Sequence, residues 1–182
     1  MEIQTLPGTV IELSPSEYSV KSVLSSLFLT GGLVLSQVSG MTGLPPYVLQ
    51  NWVKRGFVPP PVGKKYSKCQ FCRIAIINFL KDDLKIDNIV KLIDYTKVRS
   101  NDLTADSMDD CELYSCFVEA AVHAEPDPGK INEAVIDSLR EYKEPYPGAG
   151  KKVSDVLKVM VILYISSHIK KSAKFLLSSF NL

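Results

Sequence analysis

A chain of 182 residues with 46% hydrophobic and 23% charged side chains has the composition of an ordinary globular protein, which excludes a disordered or low-complexity one and leaves room for one domain or two small ones. The net charge of +1 hides an asymmetry: Glu2, Glu12 and Glu17 are the only acids before Asp82, and Tyr18 to Lys81 holds eight cations and no acid. The remainder carries thirteen cations against seventeen acids, so a basic module that suits a polyanion precedes a mildly acidic one.

Residues 1–15 read as an irregular or extended lead-in. Acids, Pro7 and Gly8 interrupt them before any apolar run, so no signal peptide is expected. Residues 16–28 place Tyr18, Val20, Val23, Leu24 and Phe28 at helical spacing, with Ser16 as N-cap and Gly31-Gly32 as the stop. In "LSQVSGMTGL" (35–44), Leu35, Val38 and Met41 share a face, Ser36 is a plausible N-cap, and Gly43 suits a left-handed stop. Pro45 or Pro46 then opens a helix over 46–55, with Val48, Leu49, Trp52 and Val53 inward and Tyr47, Gln50, Asn51, Lys54 and Arg55 outward. Gly56 ends it.

Pro59 to Tyr66 cannot be helical and reads as a short hairpin or wing turning at Gly63. Ser67 caps the next helix, whose Phe71, Ile74, Ile77 and Leu80 share a face, and Ile86, Ile89, Val90 and Ile93 mark another. Ser100 to Asp106 is a polar joint. Three helices are expected beyond it: 108–124, 131–143 and about 153–180. Glu133 and Asp137 stand at i,i+4 and read as a solvated face. The segment 156–169 is apolar, but Lys158 and His168 interrupt it, so a buried helix is expected rather than a membrane span.

Helix, turn, helix, proline-led wing, helix, helix: this order resembles the MerR-type winged helix-turn-helix of bacterial transcription regulators. The residues that carry the likeness run from Leu35 to Tyr95. They are "TGLPP", the core pair Leu49 and Trp52, "GFVPP" and the wing "KKYS". The chain also looks like an uncharacterised group of small bacterial proteins with a domain of unknown function, a MerR-like head and a helical tail. The resemblance implies double-stranded DNA as partner, a homodimer and the chance of a small-molecule effector. It departs from the family in three places. Gln50 stands where arginine is common, Asn51 where an aromatic is common, and lysine replaces the wing arginine.

The residues assigned to the DNA face are Ser36, Gln37, Tyr47, Gln50, Asn51, Lys54, Arg55, Lys64, Lys65 and Tyr66. The helix over 46–55 can enter a major groove, and Gln and Asn can read adenine edges bidentately. The wing lysines neutralise phosphates as point charges, so about 4–6 phosphates would be engaged per protomer. Trp52 is spaced with Leu49 for packing, not base stacking.

Cys69 and Cys72 form a C-x-x-C with no second pair at matching spacing, and His123 and His168 stand alone. Inert reduced thiols in the cytoplasm are the reading, with no metal and no cofactor. No phosphate loop, nucleophile elbow or two-histidine metal motif is present, so no enzyme is expected.

Val156, Val159, Met160 and Leu163 form an apolar stripe in the last helix, widened by Leu157, Val161, Tyr164 and Ile165. Such a helix is the centre of its own small bundle, a dimer interface or the wall of an effector pocket. The expectation is a mainly helical, all-α protein. It has a lead-in over 1–32, a winged helix-turn-helix over 33–99 and a helical region over 106–182 for dimerisation or effector binding. The expected function is sequence-specific regulation of transcription. The alternative is a protein-interaction module on a retained winged-helix scaffold.

Overall fold

The computed structural model describes residues 4–13, 19–97, 108–124 and 127–180. It is mainly helical, with eight α-helices among these residues and two ribbons of two short strands each. The expected N-cap Ser16 and the joint at 100–106 lie outside the described residues.

Strands β1 (Gln4–Thr5) and β2 (Glu12–Leu13) pair antiparallel, so the lead-in is a hairpin. Its turn is tied by the Thr9 hydroxyl, which donates to the Leu6 carbonyl at 2.9 Å and accepts from the Ile11 N–H at 3.1 Å. Leu6 is buried. Helix α1 (Val20–Leu27) starts later than the periodicity predicts. Ser19 caps it, its hydroxyl accepting from the Ser22 N–H.

Strand β3 (Leu33–Val34) leads directly into α2 (Leu35–Thr42), which ends at Gly43 in the left-handed conformation, φ 69°. Ser36 does not cap α2, because the helix already begins at Leu35. The first turn is closed by Gln37, whose Oε1 accepts from the Val34 N–H at 2.9 Å. Helix α3 (Pro46–Lys54) has Pro46 at its first position, where a missing N–H leaves no bond unmade. Strand β4 (Lys65–Tyr66) pairs with β3, joining the wing to the entry of α2.

Helix α4 (Lys68–Leu80) is the axis of the molecule. Ser67 and Gln70 form a reciprocal cap at its start, as the Ser67 N–H donates to Gln70 Oε1 and the Gln70 N–H to Ser67 Oγ. The expected face of Phe71, Ile74, Ile77 and Leu80 is buried, but so are Cys72, Ala75 and Ile76. A helix apolar all round is one covered on all sides. The hairpin and the later helices supply that cover. Gly8 lies against the Ala75 carbonyl, and Asn78 Nδ2 donates to the carbonyls of Gly8 and Thr42 at 2.8 and 2.9 Å.

Helix α5 (Ile86–Tyr95) buries Ile89 and Ile93. Helix α6 (Asp110–Ala124) packs on α4 and sends the Tyr114 hydroxyl to the Pro7 carbonyl at 2.8 Å. Helix α7 (Ile131–Ser138) is shorter than its pattern. The chain leaves the helix at Leu139 and turns back before Pro145, which disfavours helical geometry at the residue preceding it.

Helix α8 (Ala149–Ser178) behaves as two pieces. Val153, Val156, Leu157, Met160, Val161, Tyr164 and Ile165 are buried against α6 and α7. Val159 is exposed. Beyond His168 the helix leaves the core, and Ile169, Phe175, Leu176, Leu177 and Phe180 face outward. No helix among the described residues is long and apolar enough to cross a membrane.

One buried polar cluster sits where α4, α5 and α6 meet. Arg73 of α4, itself buried, donates through Nε to the Phe57 carbonyl at 2.7 Å and through Nη2 to Asp94 at 3.0 Å. Its Nη1 lies 3.5 Å from the buried Asp110 carboxylate, whose other oxygen is 2.6 Å from Lys97 Nζ.

Candidate nucleic-acid interface

Three devices fix the orientation of α3. Behind Gly43 the chain buries Leu44, and the Ser39 hydroxyl donates to the Leu44 carbonyl at 2.7 Å. On the inner face Leu49 and Trp52 are 1% and 3% exposed, which makes Trp52 a core residue as its spacing implies. At the far end Gly56 takes φ 75° and drops Phe57 and Val58 into the core. What remains outside is Tyr47, 70% exposed, with Gln50, Asn51, Lys54 and Arg55.

The wing is a tight hairpin. Val62 and Lys65 exchange both backbone hydrogen bonds, at 3.1 and 3.0 Å. Between them Gly63 and Lys64 both have positive φ, 55° and 62°, the geometry of the two-residue turn that matches strand twist. Lys64 is the single non-glycine residue with positive φ among the described residues. That conformation costs an L-residue roughly 1–2 kcal/mol, so local stability alone favours glycine there. Gln70 Nε2 donates to the carbonyls of Pro59 and Pro60 at 3.0 and 2.8 Å and so pins the wing's base to α4.

Between α3 and the wing runs an open groove lined by Leu35, Gln50, Val53, Pro61, Lys64 and Tyr66. The outer face of α3 and the lysine tip of the wing are its two banks. Lys54, Lys64, Lys65 and Lys68 form no ion pair among the described residues.

The fold alters three of the expected contacts. Tyr66 is 3% exposed. Alternation along β4 turns Lys65 out and Tyr66 in, and burial pushes its phenol up. Its ring is a support under the wing and not a hand for phosphate. Gln37 is exposed but spends its amide oxygen on the α2 cap. Arg55 is not free of acids. Asp87 of α5 comes within 3.8 Å of its guanidinium, which also lies 4.4 Å over the Phe57 ring. The acid-free run of sequence gave no sign of that partner. Ser36 is exposed beside the entry of α2. Gln70 went unassigned, although the S-x-x-Q spacing after the prolines is a capping-box signal.

Residues 33–117 match the family model described as Domain of unknown function (DUF1836). The matched stretch spans the wing, α2 to α5 and the first half of α6. The match carries neither an activity nor a link to MerR-type regulators. No curated protein and no solved structure matches the chain.

Proposed function

We propose that the protein is a DNA-binding transcription regulator of MerR-like type, which lays α3 in a major groove and sets the wing on the flanking backbone. The observation that carries this reading is that α3's polar face and the wing lysines flank one groove, with Lys54, Lys64 and Lys65 lacking an acid partner among the described residues. A major groove about 12 Å wide admits one helix. Gln50 and Asn51 offer amides to base edges, while the lysines meet phosphates as point charges. The wing is stiffened by its prolines and by Gln70, so little order is lost on binding. Arg55 remains recruitable, because an exposed pair such as Arg55–Asp87 is worth only about 0–1 kcal/mol.

Fluorescence anisotropy on a labelled duplex, titrated at several salt concentrations, tests this. Wild type is expected to bind and to weaken steeply with salt. Replacing Lys64→Gly and Lys65→Ala together should reduce the salt slope by roughly one unit per lysine. Because Lys64 sits at positive φ, the glycine should hold or raise the melting temperature, which separates lost binding from lost fold. Absence of binding by wild type at low salt refutes the reading. The same result would leave the head as a scaffold for a protein partner.

Reading two half-sites requires a dimer, and the exposed end of α8 supplies an apolar surface for one through Phe175, Leu176, Leu177 and Phe180. Sedimentation should find wild type as a dimer and Phe175→Asp with Leu177→Asp as a monomer with weaker DNA binding. A monomeric wild type would remove α8 from this role. The cavity that α8 lines through Tyr164, beside Leu6 and Val118, holds about 10 Å³, room for roughly one water.

A further inference from the structure

Sequence spacing offers a single C-x-x-C, but the fold gathers three of the four cysteines. Cys69 and Cys72 lie in the first two turns of α4, and Cys111 lies in the first turn of α6. The sulfurs of Cys69 and Cys111 and a carboxylate oxygen of Asp109 all lie within 4.8 Å of one another. The Cys72 thiol lies close to that of Cys111. The four cysteines form no disulfide.

We propose that Cys69, Cys72, Cys111 and Asp109 form a structural Zn²⁺ site that staples α4 to α6. Three thiolates and one carboxylate are a donor set for a four-coordinate thiophilic cation. Zn–S bonds of about 2.3 Å make a tetrahedron whose edge is about 3.8 Å, so Cys69, Cys111 and Asp109, whose ligand atoms already lie within 4.8 Å of one another, close by an ångström or less, and Cys72, one turn along α4 from Cys69, would supply the fourth corner. Both helices begin at the cluster, Cys69 and Cys111 each being the second residue of its helix.

One supporting bond is in place before any ion arrives. Asp109 Oδ1 accepts from the Glu112 N–H at 2.8 Å, which orients the carboxylate. Burial gives the site a dry back at Cys72 and Cys111 and a wet front at the exposed Asp109 and the partly buried Cys69, which is an entry path. This inference stands on different residues from the DNA reading and does not depend on it.

The test titrates the reduced, full-length protein with Co²⁺ under anaerobic conditions, then displaces it with Zn²⁺. One equivalent should bind with the sulfur-to-cobalt charge-transfer bands and strong visible bands of a tetrahedral thiolate site. Cys69→Ser and Cys111→Ser should each weaken binding by more than ~100-fold, beyond the loss expected from removing only a supporting partner. Cys116→Ser is the control. Its thiol donates to the Ser138 carbonyl at 3.3 Å, and the variant should bind as wild type does. Zn²⁺ should raise the melting temperature of wild type and leave that of Cys69→Ser unchanged. If Cys111→Ser fails to fold, the less buried Cys69 decides. Absence of thiolate bands in wild type, or their survival in Cys69→Ser, overturns the site.

Discussion

Replacing Arg73 by methionine is expected to destabilise the protein by about 3–5 kcal/mol, a fall in melting temperature on the order of 10 °C for a chain of this size. The substitution keeps most of the buried stem and removes the charge. Without the guanidinium, the Phe57 carbonyl loses its 2.7 Å donor and the buried Asp110 carboxylate keeps only Lys97. Desolvation makes that costly: a buried carboxylate that loses a partner retains its burial penalty. The third contact separates this account from simple charge counting. Asp94 is about half exposed, so water can replace its bond to Arg73. Asp94→Asn is therefore expected to cost under about 1 kcal/mol. Arg73→Lys should recover part of the loss, since it restores charge but cannot reach three acceptors with one planar fork. Thermal melts of the three variants decide. If Arg73→Met melts within a degree or two of wild type, or Asp94→Asn falls as far, the cluster is not the clamp argued here.

That cluster also shows what local sequence signals reach and where they stop. The glycines at 43, 56 and 63, Pro46 and Ser67 act within a turn of their own positions. The ends of α2 and α3, the wing and the start of α4 could therefore be read directly. Inward and outward faces of α3 and α5 follow from a 3.6-residue period, and those too were legible. What the pattern does not encode is which distant segment covers a given face. Arg73 stands on an apolar helix with no local hint of Asp94 or Asp110. Asp87 reaches Arg55 only because α5 folds back beside the end of α3. Tyr66 turns inward because β4 pairs with β3, a pairing set by a strand more than thirty residues earlier. Cys111 joins Cys69 and Cys72 only through the packing of α6 on α4. In α8 the stripe over 156–165 is buried or partly buried except at Val159, whereas the apolar residues from Ile169 to Phe180 are bare, and only the position of α6 and α7 draws that line. Thus the two banks of the candidate interface were visible in sequence, whereas its braces and the cysteine cluster were not.

Gly8→Ala is expected to be the most damaging small substitution in the chain, at about 4 kcal/mol or more. The residue has φ 74°, and a methyl group built on it would lie 1.9 Å from the Ala75 carbonyl oxygen and 2.8 Å from its carbon. Those atoms belong to the backbone of α4, which is packed on all sides and cannot yield. Adopting a left-handed backbone costs alanine about 1–2 kcal/mol. The steric conflict then forces the hairpin off α4. Leaving α4 gives up the Asn78 bond to Gly8, strands the Tyr114 hydroxyl and uncovers Leu6, losses of roughly 1–3 kcal/mol each. Gly56→Ala is the matched control. It shares a positive φ of 75° but meets nothing within 4 Å, so only the conformational cost of about 1–2 kcal/mol applies. Equal melting temperatures for the two variants would show that backbone conformation, not contact with α4, sets the requirement at Gly8. With the expected gap between them, hydrogen exchange on Gly8→Ala should locate the lost protection in residues 4–13 and around Tyr114. Protection in α3 should persist better than at the end of α2, whose Met41 carbonyl accepts from the Val10 N–H of the hairpin at 2.9 Å.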